Sequence, residues 1–363
     1  MFVLQFQLLG MGIQDWLALA IAAFAGGAFG AALGALPAFI FTGFMVIAGE
    51  AVNTLASDLA GNIEAEIGTG ITGFVAFGPV FGPHVSFAGG AAAAAYAARK
   101  GYMNTGFDYH EAKNIAHALG TKPDVLAVGG LFGILGMVVR QVSGGLLSLP
   151  WDPIAMGVVL SAVFHRLVYS YPMVGDARGG GLLDMGPFER EEMVESPKRG
   201  SGAVADGGVE EQRFAVEPWL PHQYKWPNVA MIGLVTGILA AYTTVQTGSI
   251  FLGFGISAAS LLFLNCGVDQ IPVTHHMTLP GATAAVAFAG GVGSMAILPS
   301  VLVGGLFGVT GALAGEVIQR VFYAHSDTHF DPPAAAIVVN TFAIAVLAIV
   351  GVFPSSAWVP LPI

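Results

Sequence analysis

Between residues 16 and 36 the chain carries no ionisable side chain, and apolar runs of this kind return at intervals to its C-terminal end. A helix rises about 1.5 Å per residue, so roughly 20 apolar residues match the hydrocarbon core of a bilayer. Inside lipid every backbone N–H and C=O must find its partner within the protein, which restricts the fold more than any other property of the chain. Composition points the same way. Of 363 residues 55% are hydrophobic and only 10% charged, against about 25% charged in soluble domains. The expected fold class is all-α: a polytopic membrane protein, multi-pass in the cell membrane.

Ten spans are expected. Residues 16–36, 39–52, 71–98, 125–142 and 154–171 precede a hydrophilic stretch, and 229–245, 250–266, 271–289, 297–321 and 334–352 follow it. The chain therefore divides into a first transmembrane repeat (1–172), a linker (173–227) and a second repeat (228–363). The linker, with its Gly/Ser/Ala-rich stretch at 200–208, has too few apolar residues for a core and is expected to be largely disordered. Residues 56–68, with Asp58, Glu64 and Glu66, read as an acidic extramembrane turn or short helix. Residues around His110, Glu111 and His117 read as a cytoplasmic amphipathic helix. The N-terminus lacks a basic region and a small-residue cleavage site, so the first apolar run is expected to be retained.

The halves repeat one another. Ile40-Phe41-Thr42-Gly43-Phe44 matches Ile250-Phe251-Leu252-Gly253-Phe254, and Gly129-Gly130-Leu131-Phe132-Gly133 matches Gly304-Gly305-Leu306-Phe307-Gly308. Asp152-Pro153-Ile154-Ala155 matches Asp331-Pro332-Pro333-Ala334. Five spans per half is an odd number, so the second half would start on the opposite side, giving two inverted five-helix repeats with broken helices. Basic residues in 99–122 and in the linker place both on the cytoplasmic side and both termini outside. Arg140 is the exception to that pattern.

Between the matched segments lie two polar breaks. Gly82-Pro83-His84-Val85-Ser86-Phe87-Ala88-Gly89 falls on Thr274-His275-His276-Met277-Thr278-Leu279-Pro280-Gly281, with His84 on His276, Ser86 on Thr278 and Gly89 on Gly281. Irregular backbone at membrane depth is tolerated where it lines a cavity or is buried in protein, and paired breaks point to a binding site. The substrate pathway is therefore expected to involve His84, Ser86, Gly89, His275, His276, Thr278 and Gly281, with Glu50 and Asp269 as ionisable candidates. The plainer reading is that proline and glycine kink two packed helices around core histidines.

Other ionisable groups read as structural. Glu316 and Arg320 are four apart on one helix face and pair, and His165-Arg166 sits where it can snorkel. His325, Asp327, His329 and Asp331 alternate, so an extended segment would point all four one way. Imidazole with carboxylate suits Zn²⁺ or a similar divalent cation, while the favoured reading is a solvated loop between helices.

Several classes are excluded. The charge of −10 and only 13 Lys plus Arg argue against nucleic acid. The single Cys266 leaves no intramolecular disulfide. No phosphate loop, nucleophile elbow or His-Glu-x-x-His helix appears, so no enzyme and no cofactor beyond that cation is expected. The partners expected are membrane lipid and a small solute or ion, and a homo-oligomer is compatible with the glycine-rich faces.

Pro299-Ser-Val-Leu-Val-Gly304-Gly305, followed by His329-Phe330-Asp331-Pro332-Pro333-Ala334, resembles the integral membrane family named for its His-Pro-Pro motif. Members carry Pro-x-x-x-x-Gly-Gly, one helix, then His-Pro-Pro-Ala opening the next span. The resemblance covers about residues 299–343, with Asp331 in the motif's histidine position. Some members are associated with nitrite movement, so it implies a solute pathway. The inverted five-plus-five plan is similar to urea transporters and other secondary transporters. The expected function is a transporter or channel with a site between the repeats. The alternative is a non-transporting scaffold or assembly subunit held together by glycine-rich packing, and a third, minor reading is an intramembrane metal enzyme using His275, His276 and Asp269.

Overall fold

The computed structural model describes residues 7–8, 11–60, 70–195 and 212–362. Glu64, Glu66, Lys198 and the 200–208 stretch lie outside these, as does the side chain of Asp58. The described residues are mainly helical, joined by irregular segments and two antiparallel strand pairs, β1 (Gln7–Leu8) with β2 (Met11–Gly12) and β3 (Met193–Glu195) with β4 (Gln212–Phe214).

The first half holds α1 (Ile13–Leu33), α2 (Ala35–Ala60), α3 (Ser86–Arg99), α4 (Pro123–Arg140) and α5 (Pro153–Val168). After the short α6 (Gly186–Glu189) come α7 (Trp226–Thr247), α8 (Leu252–Asn265), α9 (His275–Ala289), α10 (Ile297–Ile318) and α11 (Pro332–Ile349). Among the described residues six helical segments are long and apolar enough to cross a membrane: Ile13–Leu33, Ala35–Leu55, Pro123–Leu146, Trp226–Thr247, Ile297–Tyr323 and Pro332–Ile349. Their outward side chains are apolar, with Ile21 70%, Leu298 68% and Met231 60% exposed. Water would penalise so continuous an apolar exterior and lipid does not.

The other four expected spans are the short helices α3, α5, α8 and α9, of 14, 16, 14 and 15 residues. At the helical rise these cover only about 21–24 Å. The missing length is irregular. A π-helical turn (Thr72–Ala76) and a series of turns precede α3, a loop at 147–152 precedes α5, and residues 266–274 lead into α9. Two further π-helical turns, Gln141–Leu146 and Gln319–Tyr323, end α4 and α10.

Glycine sets the packing. A Cβ on Gly27 would strike the carbonyl oxygen of Gly129 and come within 2.9 Å of the Cα of Gly133; a Cβ on Gly237 would meet Gly304 and Gly308 in the same way, 2.8 Å from the Cα of Gly308. Gly89 sits 2.8 Å (hypothetical Cβ to Cα) from Gly27, and Gly281 3.0 Å from Gly237. Small residues let helix backbones touch where lipid supplies no hydrophobic drive. Thus α1 packs on α3 and α4, and α7 on α9 and α10. Between the halves α2 packs on α8 and α5 on α11.

The linker departs from expectation. Residues 173–195 and 212–227 are folded, not disordered. Gln223 exchanges hydrogen bonds with the backbone of Val273 at 2.9 and 3.0 Å, and Trp219 N–H donates to Gln319 Oε1 at 3.1 Å. The expected amphipathic helix near His110 is also absent; one 3₁₀ turn, Glu111–Lys113, stands there. Its Lys113 is fully buried against Glu217 at 2.5 Å, and Arg213 bridges Glu217 (2.8 Å) to Asp327 (2.7 Å). Four charges from three distant segments neutralise each other beside a small apolar cluster that the linker itself supplies, Met185, Phe188, Val216 and Tyr224, closed by Ala324.

A candidate solute cavity between the halves

A cavity of about 490 Å³ lies where the two halves meet. Leu36 and Phe39 of α2, Ala155 and Val158 of α5, Phe254 and Leu261 of α8, and Ala334 and Ile337 of α11 form its walls. Pro83, just before α3, and Phe87 in its first turn reach it from the first half, and Val273, just before α9, with His275 and Leu279 of that helix from the second. The expected irregular stretch 274–281 is thus helical from His275 onward, and the irregular backbone lies before it, at 266–274. The surface is mainly apolar, with a linked set of aromatic rings. Phe39 lies 5.9 Å from both Phe87 and Phe254 and 4.7 Å from His275, while Phe77 lies 5.3 Å from Phe251, which in turn touches Trp358 at 5.5 Å. Lys113 and Asn114 border one end with Trp219 and Leu220 of the folded linker, and Trp358 and Pro360 of the C-terminal segment also line it.

Polar groups are few and placed by helix ends. Asp152 is the N-cap of α5, its Oδ1 accepting from the N–H groups of Ile154 (2.8 Å) and Ala155 (3.2 Å). Asp331 is the N-cap of α11, accepting from Ala334 N–H at 2.8 Å and lying 3.2 Å from His329 Nε2. In both cases the next residue is proline at the first helical position, where its missing N–H costs nothing. Arg140, Asn265 and Tyr323 add to the polar lining.

Of the nine pathway residues expected from sequence, only His275 lines the cavity. His84 and His276 are each 1% exposed and packed inside their own halves. The backbone carbonyl of His84 occupies the space above Gly136, and that of His276 the space above Gly311. Neighbouring residues on a helix point about 100° apart, so His275 and His276 cannot face the same space. Ser86 donates to the carbonyl of Phe81 (3.2 Å), and Thr278 to that of His275 (3.3 Å). Gly89 and Gly281 belong to the helix contacts already described. Glu50 is 5% exposed and accepts from Thr72 (2.7 Å) and Ser249 (2.5 Å), joining α2 to the segment before α8. Asp269 is exposed on the turn after α8 and is not part of the cavity lining.

The four alternating ligands do not converge either. His325 contacts the carbonyl of Leu182 (3.2 Å), Asp327 pairs with Arg213, and His329 with Asp331. Among the described residues no group of three or more His, Cys, Asp or Glu side chains is placed to hold a metal ion. Nor is the segment a solvated loop, for Ser326 and Thr328 are fully buried. Arg166, buried rather than snorkelling, holds it by donating to Ser326 Oγ (2.6 Å), Thr328 Oγ1 (2.9 Å) and the carbonyls of Met173 (2.5 Å), Phe322 (2.7 Å) and Thr328 (2.9 Å). Glu316 and Arg320 pair at 2.6 Å.

Outside the helices, burial governs the charges. Burial draws Lys113 down to about 8 against the opposing pull of Glu217, and burial draws His110 down to about 4. The cavity residues that sequence reasoning passed over as site residues are Arg140, Asp152, Lys113 and Tyr323. The repeated Asp-Pro was a usable signal, since it marks a helix start in each half.

No curated protein and no solved structure matches the chain. Residues 10–362 match the family of unknown function DUF7973, and the chain belongs to that family.

Proposed function

We propose that this protein passes a small solute across a membrane through the cavity between its halves. The single observation that carries the reading is the cavity itself. It is bounded by elements of both halves, by the irregular segments that lead into α3 and α9, and by the capped N-termini of α5 and α11. In this reading the six long segments and four short helices make ten spans in two inverted repeats. The glycine contacts of Gly27 and Gly237, which correspond pair by pair, support the repeat. Discontinuous helices meeting at a central site suit a transporter. A scaffold would need no internal space, so the cavity favours passage over the assembly reading.

The deciding measurement is solute flux into proteoliposomes with His275→Trp, which fills the cavity beside Phe39 and Phe254. Flux should fall at least about tenfold while the variant stays monodisperse. Flux equal to the wild type would remove the cavity from the pathway.

Orientation follows from helix alternation. The linker and Cys266 fall on one side, expected to be cytoplasmic, and Ser294 on the other. A membrane-impermeant thiol reagent on intact cells should miss exposed Cys266 and label Ser294→Cys in a Cys266→Ser background. The reverse pattern would turn the protein over.

A further inference from the structure

Charges lining the cavity divide into those already matched and those left open. Lys113 is tied to Glu217, and Asp331 uses both carboxylate oxygens on Ala334 and His329. Arg140 is different. Its protein hydrogen bond is to Gln141 Oε1 at 3.3 Å, its buried Nε has no partner, and no described carboxylate lies within 4.0 Å. Asp152, 5% exposed, engages Oδ1 on the first turn of α5, and no described donor reaches Oδ2. The two groups feel each other electrostatically without forming an ion pair.

We infer that Arg140 and Asp152 are the two poles of a binding site for a small zwitterion of the amino-acid class, its carboxylate on Arg140 and its cationic end toward Asp152. The inference rests on the passage reading for what the site is for, but binding can be tested by itself. An isolated anion would gain Arg140 and be repelled by Asp152, and an isolated cation would meet the converse. A neutral solute would leave both buried charges unmatched, which is costly at low dielectric. A zwitterion answers both at once. A planar guanidinium suits a carboxylate through two parallel hydrogen bonds. The aromatic walls, Phe77, Phe251 and Trp358 among them, favour a methylated ammonium, which sheds its water easily and is attracted to ring faces. An N-methylated zwitterion therefore fits better than an unmethylated one.

The test uses the purified full chain in nanodiscs, with Trp219 and Trp358 in the cavity wall as fluorescence reporters and calorimetry alongside. The probes are glycine betaine, glycine, tetramethylammonium, acetate and urea at equal ionic strength. Glycine betaine is expected to bind at least about tenfold tighter than tetramethylammonium, acetate or urea, with glycine between. Arg140→Gln and Asp152→Asn should each weaken it about tenfold or more; asparagine keeps the helix cap, so α5 retains its start. Should either variant fail to fold, the ranking of probes on the wild type still decides. Acetate or urea binding as tightly as betaine, or betaine binding unchanged in both variants, overturns the inference. Proteoliposome flux separates the two readings. Betaine that binds but does not cross leaves the zwitterion site standing and sinks passage. Urea that crosses while betaine neither binds nor crosses sinks the zwitterion site and leaves passage standing.

Discussion

The end of α4 and the end of α10 share a skeleton and differ in their chemistry. Setting Gly129 on Gly304 brings Gly136 onto Gly311 and Arg140 onto Gly315. In both places a glycine lets the helix lie against the carbonyl of a break histidine, His84 or His276. At Gly315 there is no side chain, and the His276 ring takes the room, with Cδ2 2.9 Å from where a Cβ would stand and Trp219 5.9 Å away. Arg140 fills the corresponding position in the first half, and the His84 ring lies instead beside Gly82. Backbone contact is thus duplicated while charge is not. The lesson is that the two helix ends share their glycine contacts, and an unmatched side chain beside those contacts gives the cavity a charged side.

The hardest way to break this comparison is through the shared skeleton. A side chain at 136 or 311 would overlap a carbonyl oxygen in a helix that cannot retreat without losing its other glycine contacts. Gly136→Val and Gly311→Val should each abolish monodisperse protein on gel filtration, while Gly293→Ala, with open space around it, should not. If only one of the first two fails, the two ends are not equivalent.

A smaller but still large effect is expected at the linker. Lys113→Met leaves Glu217 with Arg213 alone in a buried setting. Removing one partner of a buried pair costs about 3–5 kcal/mol, and Glu217→Gln added to it should restore a good part of the thermal midpoint. The pH dependence has a definite sign. Folded Lys113 titrates at about 8 and the unfolded side chain at 10.5. In that window the unfolded chain holds more protons, so this residue makes stability rise with pH. The rise is complete above 10.5 and lost as pH falls through 8. Lys113→Met should flatten that slope; an unchanged slope would assign it to other groups.

Much of the fold was legible because lipid rewards a crude property, apolar length. The six long segments follow from it directly. The start of α3 was legible as a break, through Gly82-Pro83, but the length of the short helices was not, because π turns and loops leave no hydropathy signature. The linker misled for a physical reason. Its polar composition reads as solvated, yet Lys113, Glu217, Arg213 and Asp327 satisfy one another across about a hundred residues or more, and pairing at that distance is invisible in one sequence. At the site, the break pointed to the right turn of α9 but gave His275 and His276 equal weight. Only the direction of the helix separates them. The Asp-Pro repeat marked both caps, and nothing in it told that one carboxylate would be fully used and the other open.

The charge difference itself can be exchanged. Gly315→Arg must push the His276 ring from its place, and overpacking of this kind costs about 1–3 kcal/mol. Arg140→Gly removes a side chain from an existing cavity, so unfolding stability should fall by no more than the roughly 1 kcal/mol that a glycine costs in a helix. A large loss for Arg140→Gly would mean that the guanidinium holds the fold together and is not held in reserve for a solute.

The smallest effect is the most discriminating. Asp331 and Asp152 cap equivalent helices, and losing an N-cap to alanine costs about 1 kcal/mol. If the caps were all that mattered, Asp331→Ala and Asp152→Ala would lower the midpoint equally. The surroundings differ, however. Asp331 also satisfies His329 Nε2 at 3.2 Å, so its loss strands a buried imidazole and should cost more than the cap alone. Asp152 keeps a buried charge whose second oxygen no described donor reaches, and a buried charge without a partner is itself a burden on stability. Its removal should therefore offset part of the lost cap, leaving Asp152→Ala nearly neutral. The comparison is read from the two thermal midpoints without ligand. Asp152→Ala falling as far as Asp331→Ala, or further, would mean that its carboxylate is matched in the resting protein, and the contrast between the two ends would be gone.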